Sequence, residues 1–137
     1  SSMTPTFVET QDALAVLGTP GGSRITTMVL LAVLDFVHGR GSVHEWVARP
    51  RYHHQYLPDE VQHEPDVFTP EEKAALERRG HRLRSIGREY GNMQALVWDR
   101  AAGRVEAASD PRGEGEAAVV ELRAPRTEKR ATGTNGH

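Results

Sequence analysis

Apolar residues cluster in short blocks at both ends of the chain and in one long block near its start, and this contrast sets the expected layout. Thr4–Glu9 and Ala13–Leu17 read as two short strands separated by the polar Thr10-Gln11-Asp12, which is hairpin spacing and predicts an antiparallel pair. Pro5 cannot donate to a ladder, so it belongs at a strand start or an edge. From Ile25 the residues Met28, Val29, Leu31, Ala32, Leu34, Phe36 and Val37 are apolar on nearly every side, the pattern of a central helix buried between layers. Gly39 and Gly41 end that helix, with His38 and Arg40 at the negative end of its dipole. Ser42 to Glu45 matches a capping box, and the short helix it opens runs through Ala48 until Pro50 stops it.

Arg51 to Asp59 is rich in rings and has no period, so an ordered loop of packed, hydrogen-bonded rings is expected there. No metal site is expected in it: adjacent His53 and His54 point to opposite sides of an extended chain, and no further ligand stands at i+4 on a helix. Val61–Glu64 reads as a short strand. Thr69-Pro70-Glu71-Glu72 combines a cap, an N1 proline and a capping-box glutamate, and Gly80 closes the helix, whose outer face is a solvated one. His81–Ile86, Met93–Asp99 and Val105–Ala108 read as three strands of one small antiparallel sheet, closed by the turn Asp110-Pro111-Arg112-Gly113. The expected organisation is an α+β unit over residues 1–116 and a largely disordered tail over 117–137.

The 137 residues suffice for one domain with a real core. The chain opens on a strand-like run with no Met or leader before it, which suggests a segment of a longer polypeptide. Ile25–Val37 is too short to cross a bilayer and contains Asp35, so no membrane contact is expected of it. A net charge of −2, with 17 basic residues against 19 acidic ones, argues against nucleic acid or a membrane surface as a partner. The absence of cysteine excludes disulfides, thiol nucleophiles and Cys-ligated zinc, and leaves the compartment open.

The candidate chemistry lies in Gly18-Thr19-Pro20-Gly21-Gly22-Ser23-Arg24, between the second strand and the long helix. Gly21 and Gly22 remove both Cβ atoms where the chain reverses, so the backbone can take positive φ and a ligand can approach it closely. If the helix begins near Ser23, their N–H groups sit at the positive end of its dipole, where an anion or developing oxyanion is favoured. A strand-to-helix turn that needs glycine for sterics alone reads the same way, and the motif by itself leaves both open.

Four motifs in order resemble the C-terminal part of the small subunit of γ-glutamyltranspeptidases: Ser1-Ser2-Met3-Thr4-Pro5-Thr6, Leu17 through Thr27, Ala48 through Asp59, and Ala107 through Arg112. The resemblance extends from Ser1 to about Gly113. It implies part of a four-layer αββα N-terminal-nucleophile hydrolase sandwich, made as a precursor that cleaves itself into two subunits, with no cofactor and a periplasmic or secreted setting. It implies a γ-glutamyltransferase and glutathione hydrolase acting on glutathione and other γ-glutamyl compounds through a γ-glutamyl-enzyme ester. Gly21 and Gly22 match the family's oxyanion-hole glycines, and Ser1 and Ser2 match the serine pair that holds the substrate α-carboxylate. The family's nucleophile threonine, the acidic residue that grips the substrate amine and an arginine of the large subunit have no counterpart in this chain. The implied partners are therefore the large subunit and the N-terminal part of the small subunit, and this segment alone is expected to be inactive.

Overall fold

The computed structural model describes residues 4–122, so residues 1–3, Ser1 and Ser2 among them, and residues 123–137 lie outside the described residues. The N-terminal hairpin forms as expected: β1 (Thr6–Glu9) pairs antiparallel with β2 (Ala13–Gly18), Thr6 facing Leu17 and Glu9 facing Leu14. Thr10 closes the turn through its backbone N–H, which donates to the Ala13 carbonyl at 2.9 Å. A 3₁₀ turn (Gly22–Arg24) leads directly into α1 (Ile25–Val37), and α2 (Val43–Ala48) follows. In α2 the Ser42 hydroxyl accepts the Glu45 N–H, and the Glu45 carboxylate accepts the Ser42 N–H, so the capping box is complete.

β3 (Tyr52–Gln55) and β4 (Glu60–His63) form an antiparallel pair, α3 (Pro70–Arg78) crosses over, and β5 (Leu83–Ser85) returns parallel to β4. The ring-rich Arg51 to Asp59 stretch is thus half strand rather than a loop. Its period escapes a hydropathy reading because the alternation falls on polar rings: His53 is buried and His54 exposed, on opposite sides as the extended chain requires. β5 also departs from expectation, since it joins this three-stranded sheet and not the strands that follow it. A helix between two strands returns the chain in the same direction, so the crossover through α3 makes the parallel pairing the accessible one.

The last two strands, β6 (Gln94–Asp99) and β7 (Arg104–Ser109), extend the N-terminal hairpin into a four-stranded antiparallel sheet ordered β1-β2-β6-β7. One face of this sheet carries Ala15, Leu17, Ala95 and Ala108 against Met28 and Ala32 of α1 and Val43, Trp46 and Val47 of α2, which forms the core. Small residues on the strands leave room for the larger ones on the helices. Pairing lines up the opposite face in apolar rows, Phe7-Val16-Leu96-Ala107 and Leu14-Trp98-Val105, with Phe7 66% and Trp98 44% exposed. α1 is likewise one-sided: Met28, Leu31, Ala32 and Asp35 are buried, whereas Leu30 and Val37 are more than half exposed. The all-round burial expected of α1 is therefore not found, because nothing among the described residues packs on its second apolar side. After Asp110 the chain turns, with the Gly113 N–H donating to the Asp110 carbonyl at 3.1 Å, and residues 117–122 have no regular structure.

Candidate functional site

The Gly18–Arg24 turn stands between β2 and α1 and is open to solvent at Pro20, Gly21, Gly22 and Ser23. Gly21 has φ 152° and Gly22 φ 59°, both on the side of the map that L-residues avoid. The two glycines differ in surroundings. A Cβ on Gly21 would lie 2.5 Å from Met28 Cε, whereas one on Gly22 would meet nothing within 4 Å among the described residues. The Gly21 carbonyl accepts the Arg24 N–H at 3.2 Å, and that of Gly22 accepts the Ile25 N–H, so the carbonyls are used inside the turn. Among the described residues no acceptor receives the N–H of Gly21 or Gly22. Two donors on exposed residues at the head of a 13-residue helix make a place for negative charge.

Pro5 and Thr4 run beside this turn, since a Cβ on Gly18 would lie 3.7 Å from Pro5 Cα and 3.9 Å from the Thr4 carbonyl. The candidate carboxylate-binding Ser1 and Ser2 lie outside the described residues. Arg24 reaches over the Tyr90 ring at 5.3 Å and donates to the Gln62 side chain. Burial, and next the nearby Glu64 carboxylate, push the Tyr90 hydroxyl up to about 12, so it stays protonated at any working pH.

Behind the turn lies a buried ionic cluster that hydropathy gave no reason to expect. Arg51 pairs with Asp110, Arg112 pairs with Glu64 at 2.7 Å and with Asp110 at 3.2 Å, and all four side chains are almost wholly shielded. Their remaining valences go to backbone. Glu64 accepts the Arg51 N–H at 2.9 Å and the Tyr90 N–H at 2.8 Å, and Asp110 accepts the N–H of Met93 at 2.8 Å and of Arg112 at 3.0 Å. Arg51 donates to the Val47 carbonyl at 2.8 Å and to that of Tyr90, and Arg112 to those of Val47 at 3.3 Å and Arg49 at 3.3 Å. Burial raises the Asp110 carboxyl, but the Met93 and Arg112 amides and the Arg51 guanidinium outweigh it and hold Asp110 below its usual value. Burial likewise works against the Arg112 charge, and Glu64 and Asp110 more than reverse that effect. Sequence reasoning assigned Asp110 and Arg112 only to a turn. The available signal was four ionisable groups inside or beside the motif stretches.

Thr19 connects cluster and turn. Its hydroxyl donates to the Pro20 carbonyl at 2.9 Å and accepts the Asn92 N–H at 3.2 Å. On the other side of α1, the buried His53 ring contacts Thr27 Oγ1 at 2.7 Å and Gln55 Oε1 at 2.8 Å, tying the helix to β3.

The family model described as Gamma-glutamyltranspeptidase matches residues 1–120. A glutathione hydrolase proenzyme of Escherichia coli is 38% identical over 113 residues, covering 82% of this chain and 19% of that protein. One of Pseudomonas aeruginosa is 36% identical over 124 residues, covering 88% and 22%. The solved γ-glutamyltranspeptidase of Pseudomonas nitroreducens, complexed with L-DON, superposes with a TM-score of 0.74 at 35% identity, covering 88% of this chain and 63% of that one. The chain thus spans about a fifth of the length of the curated relatives it matches.

Proposed function

This chain belongs to the γ-glutamyltranspeptidase family, and on that premise we propose that it supplies the oxyanion hole and part of the substrate grip of a γ-glutamyltransferase and glutathione hydrolase. The observation that carries the reading is the pair of N–H groups of Gly21 and Gly22, on exposed residues at the head of α1 and without an acceptor among the described residues. In the proposed reaction a threonine hydroxyl from another part of the precursor attacks the carbonyl carbon of a γ-glutamyl amide, its proton passing to the threonine's own amine. The carbonyl oxygen becomes an oxyanion, and the two glycine donors stabilise it as charge develops. Collapse breaks the C–N bond and the leaving amine takes up the proton. A γ-glutamyl ester remains, which water hydrolyses or an amino acid or peptide amine accepts. Ser1 and Ser2 are proposed to hydrogen-bond the α-carboxylate of the glutamyl group.

The same reading accounts for the two uncovered apolar surfaces. In the proposed αββα sandwich a second sheet covers the Phe7, Val16, Leu96 and Trp98 face, and a neighbouring layer covers Leu30 and Val37 of α1. Surfaces of this kind are otherwise aggregation liabilities. The segment alone then has no nucleophile and no γ-glutamyl transfer activity.

Two measurements test the proposal. The reading frame upstream of Ser1 is expected to encode a threonine nucleophile, and a reading frame that starts at Ser1 would sink the proposal. Expressed alone, the chain is expected to scatter light on melting and to leave γ-glutamyl anilide uncleaved, while the complete precursor processes itself and turns the anilide over. A clean reversible melt of a monomeric chain would favour a free-standing inactive remnant.

A further inference from the structure

Resting on the oxyanion-hole reading, we propose that Thr19 is a positioning residue that aims the Gly21 N–H of the turn, held in place by a strap formed from residues 90–93. A trans peptide is planar, and its C=O and N–H point in opposite directions. The wholly buried Thr19 hydroxyl donates to the Pro20 carbonyl at 2.9 Å and so fixes that carbonyl toward the interior. The N–H across the same peptide plane is that of Gly21, and it must then face outward. The next plane is fixed in the same manner, because the Gly21 carbonyl accepts the Arg24 N–H at 3.2 Å and the Gly22 N–H faces away from the helix. Thr19 therefore orients the first donor, and the 3₁₀ turn orients the second.

A hydroxyl has one proton, and the strap directs where it goes. Asn92 N–H donates to Thr19 Oγ1 at 3.2 Å and occupies a lone pair, and of the two acceptors in reach of the proton, the Pro20 carbonyl at 2.9 Å is nearer and stronger than Met28 Sδ at 4.0 Å. The strap is suspended from the buried cluster at both ends: Tyr90 N–H donates to Glu64 at 2.8 Å and Met93 N–H to Asp110 at 2.8 Å. Between them Gly91, at φ 86°, lies flat against the turn. A Cβ there would stand 2.5 Å from Arg51 Nη1, 2.7 Å from Met28 Sδ and 3.2 Å from Thr19 Oγ1. Cluster, strap, hydroxyl and peptide plane thus form one continuous line of contacts ending at the Gly21 N–H.

Valine at position 19 keeps the shape of threonine but removes both the donor to the Pro20 carbonyl and the acceptor of the Asn92 N–H at a part-buried place, and rotation of the Pro20–Gly21 peptide lets that carbonyl reach water. The test uses the complete proenzyme, with γ-glutamyl anilide as substrate and, as inhibitor, a boronic acid with boron in place of the γ-carbonyl carbon, which forms a tetrahedral adduct with the nucleophile. Thr19→Val is expected to lower kcat roughly ten- to a hundredfold, less than outright removal of a donor, with KM within about twofold. The inhibitor should weaken by a similar factor, and Thr19→Ser should restore both. Equal losses in Thr19→Ser and Thr19→Val would overturn the proposal by assigning the effect to packing. Wild-type kinetics in Thr19→Val beside a large loss in Gly21→Ala would overturn it too, and leave the oxyanion reading standing. Wild-type kinetics and inhibitor affinity in both variants would remove the oxyanion reading and this proposal together. If Thr19→Val fails to process, hydrogen exchange in the wild-type protein decides. An Asn92 amide as protected as that of Met93 supports the strap, and one exchanging at open-loop rates overturns it.

Discussion

The Gly18–Arg24 turn and the Arg51–Glu64–Asp110–Arg112 cluster are joined by four residues of strap, yet they treat polar groups in opposite ways. In the cluster every charge is buried and matched, with carboxylates and guanidiniums also serving backbone amides and carbonyls of distant segments. At the turn two backbone donors are left without an acceptor among the described residues, and no charged side chain is spent on them. Under the proposed oxyanion role, the difference is the one a reacting group requires of its setting. Donors that serve a transient charge must be held still without being satisfied, so the satisfaction that fixes them is placed one layer behind.

Four experiments probe this contrast, in descending order of effect. Asp110→Ala removes one partner of a buried pair and leaves Arg51 uncompensated, which typically costs about 3–5 kcal/mol. Urea unfolding of the complete protein should show a midpoint lowered accordingly, and an unchanged midpoint would mean the cluster is not structural. Gly21→Ala should reduce kcat on the order of a hundredfold, about 3 kcal/mol of transition-state stabilisation, because the methyl meets Met28 and φ 152° excludes an L-residue. Gly22→Ala, at φ 59° with open space beside it, sits in the left-handed basin at about 1 kcal/mol of strain and should be the milder of the two. Steady-state kinetics on both variants gives the order, and the reverse order would move the critical donor to Gly22.

Acid stability is the third. The native Asp110 carboxyl is held below its usual 3.8, so the unfolded chain takes up a proton there before the folded one does. The stabilisation is present above about pH 4 and is lost as pH falls through the native value, and Asp110→Asn should flatten that part of the acid unfolding curve. The smallest effect belongs to a helix remote from both regions. Thr69→Ala removes the cap that accepts the Glu72 N–H at 3.2 Å and should cost about 1 kcal/mol, read as a shift in Tm with turnover unchanged.

What the sequence made legible was local. The hairpin, the start of α1 after the double glycine, the two capping boxes and the close of α3 at Gly80 each depend on residues within a few positions of one another, and each forms where the pattern put it. Pairing between distant segments was not legible. The destination of β5 depends on the crossover through α3, and β6 joins β2 across 75 residues of intervening chain. Burial of polar residues was hidden for a related reason. Asp110 and Arg112 look like turn residues beside Pro111, and Glu64 ends a strand, so nothing short of their meeting in space marks them as interior. The double glycine was visible from its type and context, but Thr19 was not, because a threonine before a proline has no distinctive spacing until Asn92 is known to lie against it.

Gly91 carries a further consequence for how such a protein is mapped by genetics. A Cβ at this position would stand 2.5 Å from Arg51 Nη1 and 2.7 Å from Met28 Sδ, at a φ of 86° that side chains rarely adopt, so a saturation library screened for activity should favour glycine strongly at that codon. Ranked by intolerance, position 91 would stand with the reaction chemistry, although its atoms lie behind the turn and face the interior. A functional screen read beside an abundance screen would separate the two roles. Gly91 variants should lose protein and turnover together, whereas Gly22 variants should lose turnover while the protein accumulates.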